Sequence, residues 1–498
     1  MKKVSKLIVF LFVVSIFSAW PNTKVNAFEN TEEKLVTTTM DNYLEYEQKE
    51  KNDEKVSETN TEEENLKRKI LEAIKNKETS VSIREYSLNL REDDNKILDL
   101  YHKVLDENPK LFYASCNHVS SYGYYSKEYN KSITTSINIT YLDVEQTQLD
   151  DMTAKLNNKI SEISKKLRLK SPDLSLLEKE YAIYDYIQQN CVYNKEKAKN
   201  FIIYDGNYDT FGLWHTAYGG LVEGDLVCDG YAKSIMLLLQ EAGFNDCGII
   251  NSNGHTWNYV NYEGNYYMLD ATFDDEENHN PHYDYFNINQ SLKNVNYHDP
   301  KGKQDEDIMD KCTDNRFKKV HKLSNWYNAV RIGDRLYYNL SGKLYSSDLY
   351  GEDEKVVYDG SADNINFCPK AGCKSMLYDY HKNYDGMYDI IALNIKDNKY
   401  YVIDEIKDKP EYMYKQGSNL IVKIRDSNDF SKYIDYKYDI AMSEDINNDG
   451  YYTVCDLAEV AAKYNQENDE MGTLNDYDIN DDGIVDIYDI CKVSNAIQ

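Results

Sequence analysis

Three residues near the middle of the chain have the side chains of a thiol nucleophile site: Cys228, His255 and Asp270. A cysteine attacks a carbonyl carbon as its thiolate, so it needs a neighbouring base that takes the thiol proton. An imidazole is a common base, and a carboxylate on its second nitrogen fixes the tautomer and the orientation of the ring. These residue types therefore predict acyl transfer, with His255 removing the proton from Cys228 and later protonating the leaving amine.

The segment that begins at Cys228 predicts a helix whose N-terminus carries the thiol. Gly243 is placed to end this helix. Unpaired N–H groups and a partial positive charge at a helix N-terminus favour the thiolate form of a cysteine. The same N–H groups can receive the oxyanion of an attacked carbonyl. The apolar positions with helical spacing are Ala232, Ile235, Met236, Leu239 and Ala242.

The residues around His255 and Asp270 predict two strands joined in a hairpin at Glu263-Gly264. If Tyr262 pairs with Asn265, His255 and Asp270 become diagonal neighbours on one face of the sheet. Diagonal neighbours lie about 7–8 Å apart at the backbone, which allows an imidazole and a carboxylate to hydrogen-bond. A three-residue turn would reverse this parity, so the register decides whether the site can form.

Three motifs carry a family resemblance: Cys-Asp-Gly-Tyr-Ala from Cys228, Gly-His-Thr-Trp-Asn-Tyr-Val around His255, and Tyr-Met-Leu-Asp-Ala-Thr-Phe-Asp-Asp around Asp270. Together they resemble the bacterial transglutaminase-like superfamily, which shares its triad with papain-like proteases. The resemblance covers roughly 175–300. It implies a papain/transglutaminase-like core with Cys228 as nucleophile, His255 as base and Asp270 as orienting acid. Animal transglutaminases hold the oxyanion with an upstream tryptophan, and Tyr193 occupies the comparable spacing here, so its phenol is a candidate donor.

Three functions are compatible with these residues. The first is a thiol acyltransferase or hydrolase that acts on protein amides such as glutamine side chains. The second is a cysteine peptidase with the same triad, which differs in the amide that enters and in whether water resolves the thioester. The third is a non-catalytic surface assembly or adhesion protein with a transglutaminase-like fold.

Near the C-terminus, one twelve-residue calcium-loop template occurs twice, with Gly450 and Gly483 at its sixth position. Side-chain oxygens at positions 1, 3, 5, 9 and 12 and a carbonyl at position 7 are what a hard cation in a tight turn requires. The candidate ligands are Asp445, Asn447, Asp449, Tyr451, Thr453 and Asp456 in the first loop, and Asp478, Asn480, Asp482, Ile484, Asp486 and Asp489 in the second.

Aspartate at position 12 and one short helix after each loop resemble a dockerin. The resemblance implies two Ca²⁺ ions that are needed for folding, and a cohesin-type module on a scaffold or partner enzyme as the binding partner. Where many dockerins have Ser or Thr late in the loop, this chain has Val454-Cys455 and Ile487-Tyr488.

The whole chain predicts a secreted protein. Residues 1–27 have lysines, an apolar run and a Val-Asn-Ala end, which is the order of a signal peptide cleaved after Ala27. No later run is long and apolar enough to span a membrane. The net charge of -29 argues against a nucleic-acid partner. Nine cysteines leave at least one thiol unpaired, although Cys368 and Cys373 are close enough in sequence to close a small loop.

The length of 498 residues predicts a multi-domain α+β protein. Residues 320–440 contain three units of short strands, which indicates an open or partial propeller-like arrangement. The predicted segments are a signal peptide at 1–27, a disordered acidic leader at 28–65, an α+β N-terminal region at 66–174, the catalytic domain at 175–315, a β-rich propeller-like repeat region at 316–440 and a dockerin-type calcium-binding domain at 441–498.

Overall fold

The structure is a computed structural model that describes most of the chain beyond residue 54. The described residues are 55–200, 212–251, 254–262, 264–275, 280–291, 303–360, 366–416, 419–427, 429, 432–440, 446, 454–467, 477–479 and 484–497. The predicted signal peptide lies outside them. Within these ranges, no helix has both the length and the apolar character needed to cross a bilayer.

The chain divides into two compact units. The first contains the residues up to Ala154 together with Lys195–Tyr218, and the second contains Lys155–Asn194 and the residues from Gly219 onward. Both units combine helices with sheets, which agrees with the predicted mixed α and β content.

The first unit is built on a three-stranded sheet. Its elements are α1 (Lys55–Lys75), β1 (Ser80–Ser82), α2 (Leu88–Arg91), α3 (Asp94–Glu107), β2 (Ala114–Ser126) and β3 (Lys131–Tyr141), and the strand order is β1-β3-β2. Leu66 and Ile70 of α1 share a buried core with Ile97 and Tyr101 of α3.

Helix α1 begins at Lys55, inside the segment 28–65 for which the composition predicts disorder. The expectation of disorder relied on the lack of an apolar period. Glu and Lys are good helix formers without any such period. The residues that anchor the helix to its core lie further on, from Leu66.

The next elements include those that position the candidate site. They are α4 (Gln146–Lys166), α5 (Leu176–Asn190), β4 (Val192–Tyr193), α6 (Lys195–Asn200), β5 (Asp225–Leu226), α7 (Cys228–Glu241), β6 (Cys247–Asn251), β7 (Thr256–Tyr262), β8 (Asn265–Leu269) and α8 (Ala271–Asp274). Strands β6, β7 and β8 form an antiparallel sheet in that order. Asn258 of β7 is buried and donates to the Ala232 carbonyl of α7 at 2.9 Å, which ties the helix to the sheet.

Two helices, α9 (Lys303–Lys311) and α10 (Lys318–Tyr327), precede three antiparallel sheets. The first sheet contains β9 (Val330–Ile332), β10 (Arg335–Leu340), β11 (Lys343–Asp348) and β12 (Lys355–Asp359). The second contains β13 (Ala371–Cys373), β14 (Met376–Lys382), β15 (Tyr388–Asn394) and β16 (Lys399–Ile406), and the third contains β17 (Pro410–Gln416), β18 (Asn419–Arg425) and β19 (Tyr433–Asp439). These sheets correspond to the three predicted units, but they are not closed and a propeller is not confirmed.

The middle sheet packs on both of its faces. Leu377 and Ile391 lie in a core shared with the first sheet, whereas Tyr378 and Ile390 lie in a core shared with the third sheet. Successive residues of a strand point to opposite faces, so this alternation buries both sides.

The last described elements form a small module of paired helices. They are α11 (Val454–Ala462), β20 (Gln466–Glu467), β21 (Ile484–Val485) and α12 (Ile487–Ala496). The core of the module contains four buried aliphatic residues: Ile446, Val460, Val485 and Val493.

A largely buried ion pair joins the first of these three sheets to helix α5. The Nε of Arg331 donates to Asp185 at 2.7 Å, and the side chains are only 16% and 13% exposed. The Tyr283 hydroxyl donates to the other oxygen of the same carboxylate at 2.7 Å. Burial by itself lowers the pKa of Arg331, but Asp185 and the neighbouring tyrosines outweigh burial and raise it.

We expect Arg331→Ala to lower the free energy of unfolding of the second unit by about 3 kcal/mol, because it leaves a buried carboxylate without its cation. Arg425→Ala is the matched control, since the pair Arg425–Glu411 is 39% and 35% exposed and such pairs contribute about 0–1 kcal/mol. Urea denaturation followed by tryptophan fluorescence measures both. Equal destabilisation by the two substitutions would contradict the expected difference.

Candidate active site

Cys228 is the first residue of helix α7, as predicted, and its thiol is partly exposed. Val227 is the N-cap residue and makes no capping hydrogen bond with its side chain. The helix ends before Gly243, whose φ of 92° is suited to glycine. Residues Gly230 to Leu239 are all buried, so the helix is enclosed on more sides than the predicted stripe implies.

All nine cysteines lie in the described part of the chain and are free thiols. Cys368 and Cys373 therefore do not close the loop that their spacing allows. Cys191 is buried, and burial followed by the charge of Asp275 raises the pKa of its thiol well above the usual value. Burial likewise raises the pKa of Cys247 to about 12.

The hairpin has the register on which the predicted site depends. Tyr262 pairs with Asn265, and Asn258 pairs with Leu269. His255 directly precedes β7, and Asp270 directly follows β8. The two side chains are therefore brought together at one end of the hairpin.

His255 and Asp270 are in direct contact. The imidazole Nε2 lies 2.5 Å from Oδ2 of Asp270, and the side chains are 10% and 1% exposed. The ring of Trp257 stacks on the imidazole at a centroid distance of 5.6 Å, and Phe273 meets it edge-on at 4.8 Å. Packing on both sides and the carboxylate together restrict rotation of the imidazole.

The Asp270 carboxylate is held on its other side by backbone groups. Its Oδ1 caps α8 by accepting from the N–H groups of Thr272 at 3.1 Å and Phe273 at 3.3 Å. The backbone N–H of Asp270 donates to the Tyr285 carbonyl at 3.0 Å. One oxygen is therefore used by the helix start, and the other is directed at the imidazole.

Cys228 lies close enough to the same imidazole to influence its pKa. Burial by itself lowers the pKa of His255, but Asp270, followed by Cys228, raises it to about 10. The imidazole therefore holds a proton at neutral pH. With Nε2 bonded to Asp270, Nδ1 is the ring nitrogen left for the thiol.

Tyr193 lies beside the start of the cysteine helix. Strand β4 pairs in parallel with β5, and this pairing places Tyr193 opposite Leu226, two residues before Cys228. Burial, followed by the charges of Cys228, Asp229 and Asp270, raises the pKa of the Tyr193 phenol. The phenol therefore keeps its proton at neutral pH and can donate a hydrogen bond.

Two acids that the sequence analysis did not single out support the site. Asp274 is buried and its Oδ2 accepts from the Tyr184 hydroxyl at 2.7 Å and from the Tyr285 N–H at 2.9 Å. Asp275 accepts from the Tyr193 N–H and from the Tyr231 hydroxyl. The signal for both was the run of acids that closes the third motif, Thr272-Phe-Asp-Asp.

The predicted calcium ligands fall only in part on described residues. Those that the structure describes are Asp456, Asp478, Ile484, Asp486 and Asp489. Those that lie outside the described residues are Asp445, Asn447, Asp449, Tyr451, Thr453, Asn480 and Asp482. Asp456 and Asp489 are fully buried, and Asp478 is 2% exposed.

The two loops repeat one contact around their last carboxylate. The N–H of Ile446 donates to Asp456 at 2.8 Å, and the N–H of Ile479 donates to Asp489 at 2.6 Å. In each loop, the donor is at position 2 and the acceptor is at position 12 of the template. Buried carboxylates closing two equivalent loops fit a site for a hard cation.

Comparison with known proteins identifies one region of the chain. Residues 158–296 match the family model of a transglutaminase-like domain. A search of curated proteins finds no significant match. The matched region includes all three motifs and the contact between His255 and Asp270. The chain therefore contains a transglutaminase-like domain, which indicates a cysteine-dependent enzyme.

Proposed function

We propose that this protein is a thiol acyltransferase or hydrolase that acts on protein amides through Cys228, His255 and Asp270. The observation that supports this most strongly is the contact between the His255 imidazole and the buried Asp270 carboxylate, beside a cysteine that begins a helix. A lone cysteine at a helix start is usually a small buried residue. This one is partly exposed and close enough to an oriented base to influence the pKa of the imidazole.

In the first half of the reaction, the Sγ of Cys228 forms a bond to the amide carbonyl carbon, and an electron pair moves onto the carbonyl oxygen. The N–H groups at the start of α7 and the phenol of Tyr193 are the proposed donors to this oxyanion. The intermediate collapses, the carbon–nitrogen bond breaks, and the leaving nitrogen takes the proton that His255 holds. A thioester on Cys228 remains.

In the second half, an amine or water attacks the thioester while His255 takes its proton. The carbon–sulfur bond breaks, and the sulfur leaves with its electron pair. Asp270 keeps Nε2 occupied throughout, so the imidazole exchanges protons through Nδ1. The product is a new amide when an amine attacks and a carboxylic acid when water attacks.

The transglutaminase, deamidase and peptidase reactions differ only in their products, so one assay separates them. Casein offers both glutamine side chains and backbone amides, and a fluorescent primary amine serves as acceptor. Amine incorporation indicates acyl transfer, ammonia release without incorporation indicates deamidation, and new N-termini indicate proteolysis. Absence of all three products would favour the non-catalytic adhesion protein.

We further propose that the C-terminal module binds two Ca²⁺ ions with the twelve loop residues named from the sequence. The repeated position-2 to position-12 contact supports this proposal. Calcium would supply the positive charge that lets clustered carboxylates remain buried in a module with a very small core. With the signal peptide predicted at 1–27, this is consistent with action outside the cytoplasm.

The partner proposed for this module is a cohesin-type domain. Late positions of the two loops carry exposed apolar side chains: Val454 is 69% exposed and Ile487 50% at position 10, and Tyr488 is 66% exposed at position 11. Val454 and Ile487 are equivalent in the two repeats, and the counterpart of Tyr488 is Cys455. An apolar pair of this kind favours a partner surface that is itself apolar at its centre.

We expect Asp456→Ala and Asp489→Ala each to weaken Ca²⁺ binding at one site by at least about tenfold, because each removes the position-12 carboxylate. Glu459→Ala is the matched control, since Glu459 lies exposed on the same helix as Asp456. Isothermal titration calorimetry of the full chain measures both affinity and stoichiometry. Unaltered affinity in the double variant, or fewer than two ions per chain in the wild type, would contradict the proposal.

A further inference from the structure

One carboxylate oxygen connects the three segments that meet at the thiol. The Oδ2 of Asp275 accepts from the Tyr193 N–H at 3.1 Å and from the Tyr231 hydroxyl at 2.5 Å. Tyr193 is in β4, Tyr231 is one turn after Cys228 in α7, and Asp275 follows the short helix that Asp270 caps. We propose that Asp275 is a positioning residue that holds the Tyr193 phenol beside the Cys228 thiol for oxyanion stabilisation.

Asp275 provides a side-chain contact to one edge of strand β4. This strand is two residues long and pairs with β5, which is equally short. The backbone bonds of this pairing are Val192 N–H to Gly224 at 2.8 Å and Asn194 N–H to Leu226 at 2.8 Å. The N–H of Tyr193 therefore lies on the other edge of the strand, where it donates a hydrogen bond to Asp275.

The Tyr231 hydroxyl extends the connection into the catalytic helix. Tyr231 is 1% exposed, and its ring lies 6.4 Å from that of Tyr193. Burial, followed by the charge of Asp275, raises the pKa of the Tyr231 phenol, so it remains a donor. Displacement of Asp275 would therefore release Tyr193 from the helix that carries the nucleophile.

The proposal rests on the proposed function, because an oxyanion forms only if Cys228 attacks a carbonyl. Two reactions of the same thiol separate the roles. With p-nitrophenyl acetate, the sulfur bonds to the carbonyl carbon, the electron pair moves to the oxygen, and collapse expels p-nitrophenolate and leaves a thioester. With iodoacetamide, the sulfur displaces iodide from a saturated carbon, and no oxyanion develops.

The test compares both rates at Cys228, quantified by mass spectrometry of the peptide that carries it. Loss of one oxyanion donor typically costs about 10²–10³-fold in rate. We expect Tyr193→Phe to slow acylation by about a hundredfold and Asp275→Ala by at least about tenfold. Both should leave alkylation within about twofold. Asp275→Asn keeps an acceptor oxygen and is expected to recover most of the acylation rate.

A double substitution tests whether Asp275 acts through Tyr193. The effects of substitutions at residues that act through one contact are not additive. The double variant Tyr193→Phe/Asp275→Ala should therefore be acylated no more slowly than Tyr193→Phe alone. Additive losses, or an equal loss of alkylation in Asp275→Ala, would overturn the proposal. If Asp275→Ala fails to fold, Tyr231→Phe removes one hydroxyl with the ring retained, and an unchanged ratio of acylation to alkylation in that variant would also overturn it.

Asp246 provides the matched control. Its carboxylate also accepts from a tyrosine hydroxyl, that of Tyr266 at 2.6 Å, and from Asn261 at 2.7 Å, but beyond the opposite end of α7. Asp246→Ala is expected to keep the wild-type ratio of the two rates. If wild-type Cys228 is not acylated, the proposed function fails. If it is acylated and Asp275→Ala matches the wild type, only the positioning role fails.

Discussion

Cys228→Ala is expected to reduce acyl transfer from casein amides by at least about ten-thousand-fold, because it removes the nucleophile on which both halves of the reaction depend. No nearby thiol is expected to replace it. Cys191 and Cys247 are held in their neutral forms by burial, which raises the pKa of each. The remaining rate should reflect substrate binding and the oxyanion donors alone.

Cys455→Ala is the matched control for this substitution, since Cys455 is an exposed cysteine outside any disulfide. It lies in α11, outside the transglutaminase-like domain. We expect its turnover to equal that of the wild type. Retention of activity in Cys228→Ala, or a comparable loss in both variants, would show that Cys228 is not the nucleophile. Amine incorporation and ammonia release are followed in the same samples.

Asp270→Asn is expected to lower turnover by about 10²–10⁴-fold, since an amide in place of the carboxylate neither stabilises the imidazolium nor selects the correct tautomer. It should also lower the pKa of His255, because the carboxylate is the larger of the two influences that raise this pKa to about 10. In the wild type, the imidazole is expected to stay protonated until the pH approaches 10. In Asp270→Asn, it should lose its proton at a lower pH.

NMR titration of the imidazole nitrogens measures this shift directly. Removal of the negative partner destabilises the protonated ring. Burial, which lowers the pKa of His255, is then less strongly opposed, so the pKa falls. Asp314→Asn serves as the control, because Asp314 lies outside the matched domain and is not a partner of His255. An unchanged His255 titration in Asp270→Asn would contradict the assigned contact.

Local patterns were sufficient to predict the centre of the site. A helical apolar period placed Cys228 at a helix start, and the parity of a two-residue turn placed His255 next to Asp270. Both inferences depend on residues that are close in sequence. The strand and helix periods are properties of the local chain, so they can be inferred before the fold is known.

The contacts that brace the site could not be predicted in this way. Asp275 and Tyr193 are 82 residues apart in sequence, and Tyr184 and Asp274 are 90 apart. No periodic pattern relates such positions, and tyrosine is too frequent in this chain for one residue to stand out. Long-range pairing of this kind is a property of the packed fold.

The β-rich region illustrates a second limit. Its strands and their division into three units followed from alternation and turn residues, but the way the sheets pack did not. Arg331 reads in the sequence as an ordinary strand residue, yet it pairs with Asp185 of helix α5 in a buried site. This pair and the Tyr283 hydroxyl connect the region to the loop that bonds the Asp270 backbone. We therefore expect damage to the β-rich region to affect the active site.

The most direct test is the mass of the Cys228 peptide during turnover. A tryptic casein digest is mixed with the full chain and quenched in acid, which preserves thioesters, and the protein is then digested and analysed by mass spectrometry. We predict a transient adduct on Cys228 that adds the mass of a casein peptide less ammonia, or the mass of an N-terminal peptide fragment less water if a backbone amide is attacked. An unmodified Cys228 throughout, with products accumulating or with no reaction at all, would contradict the proposed thiol mechanism.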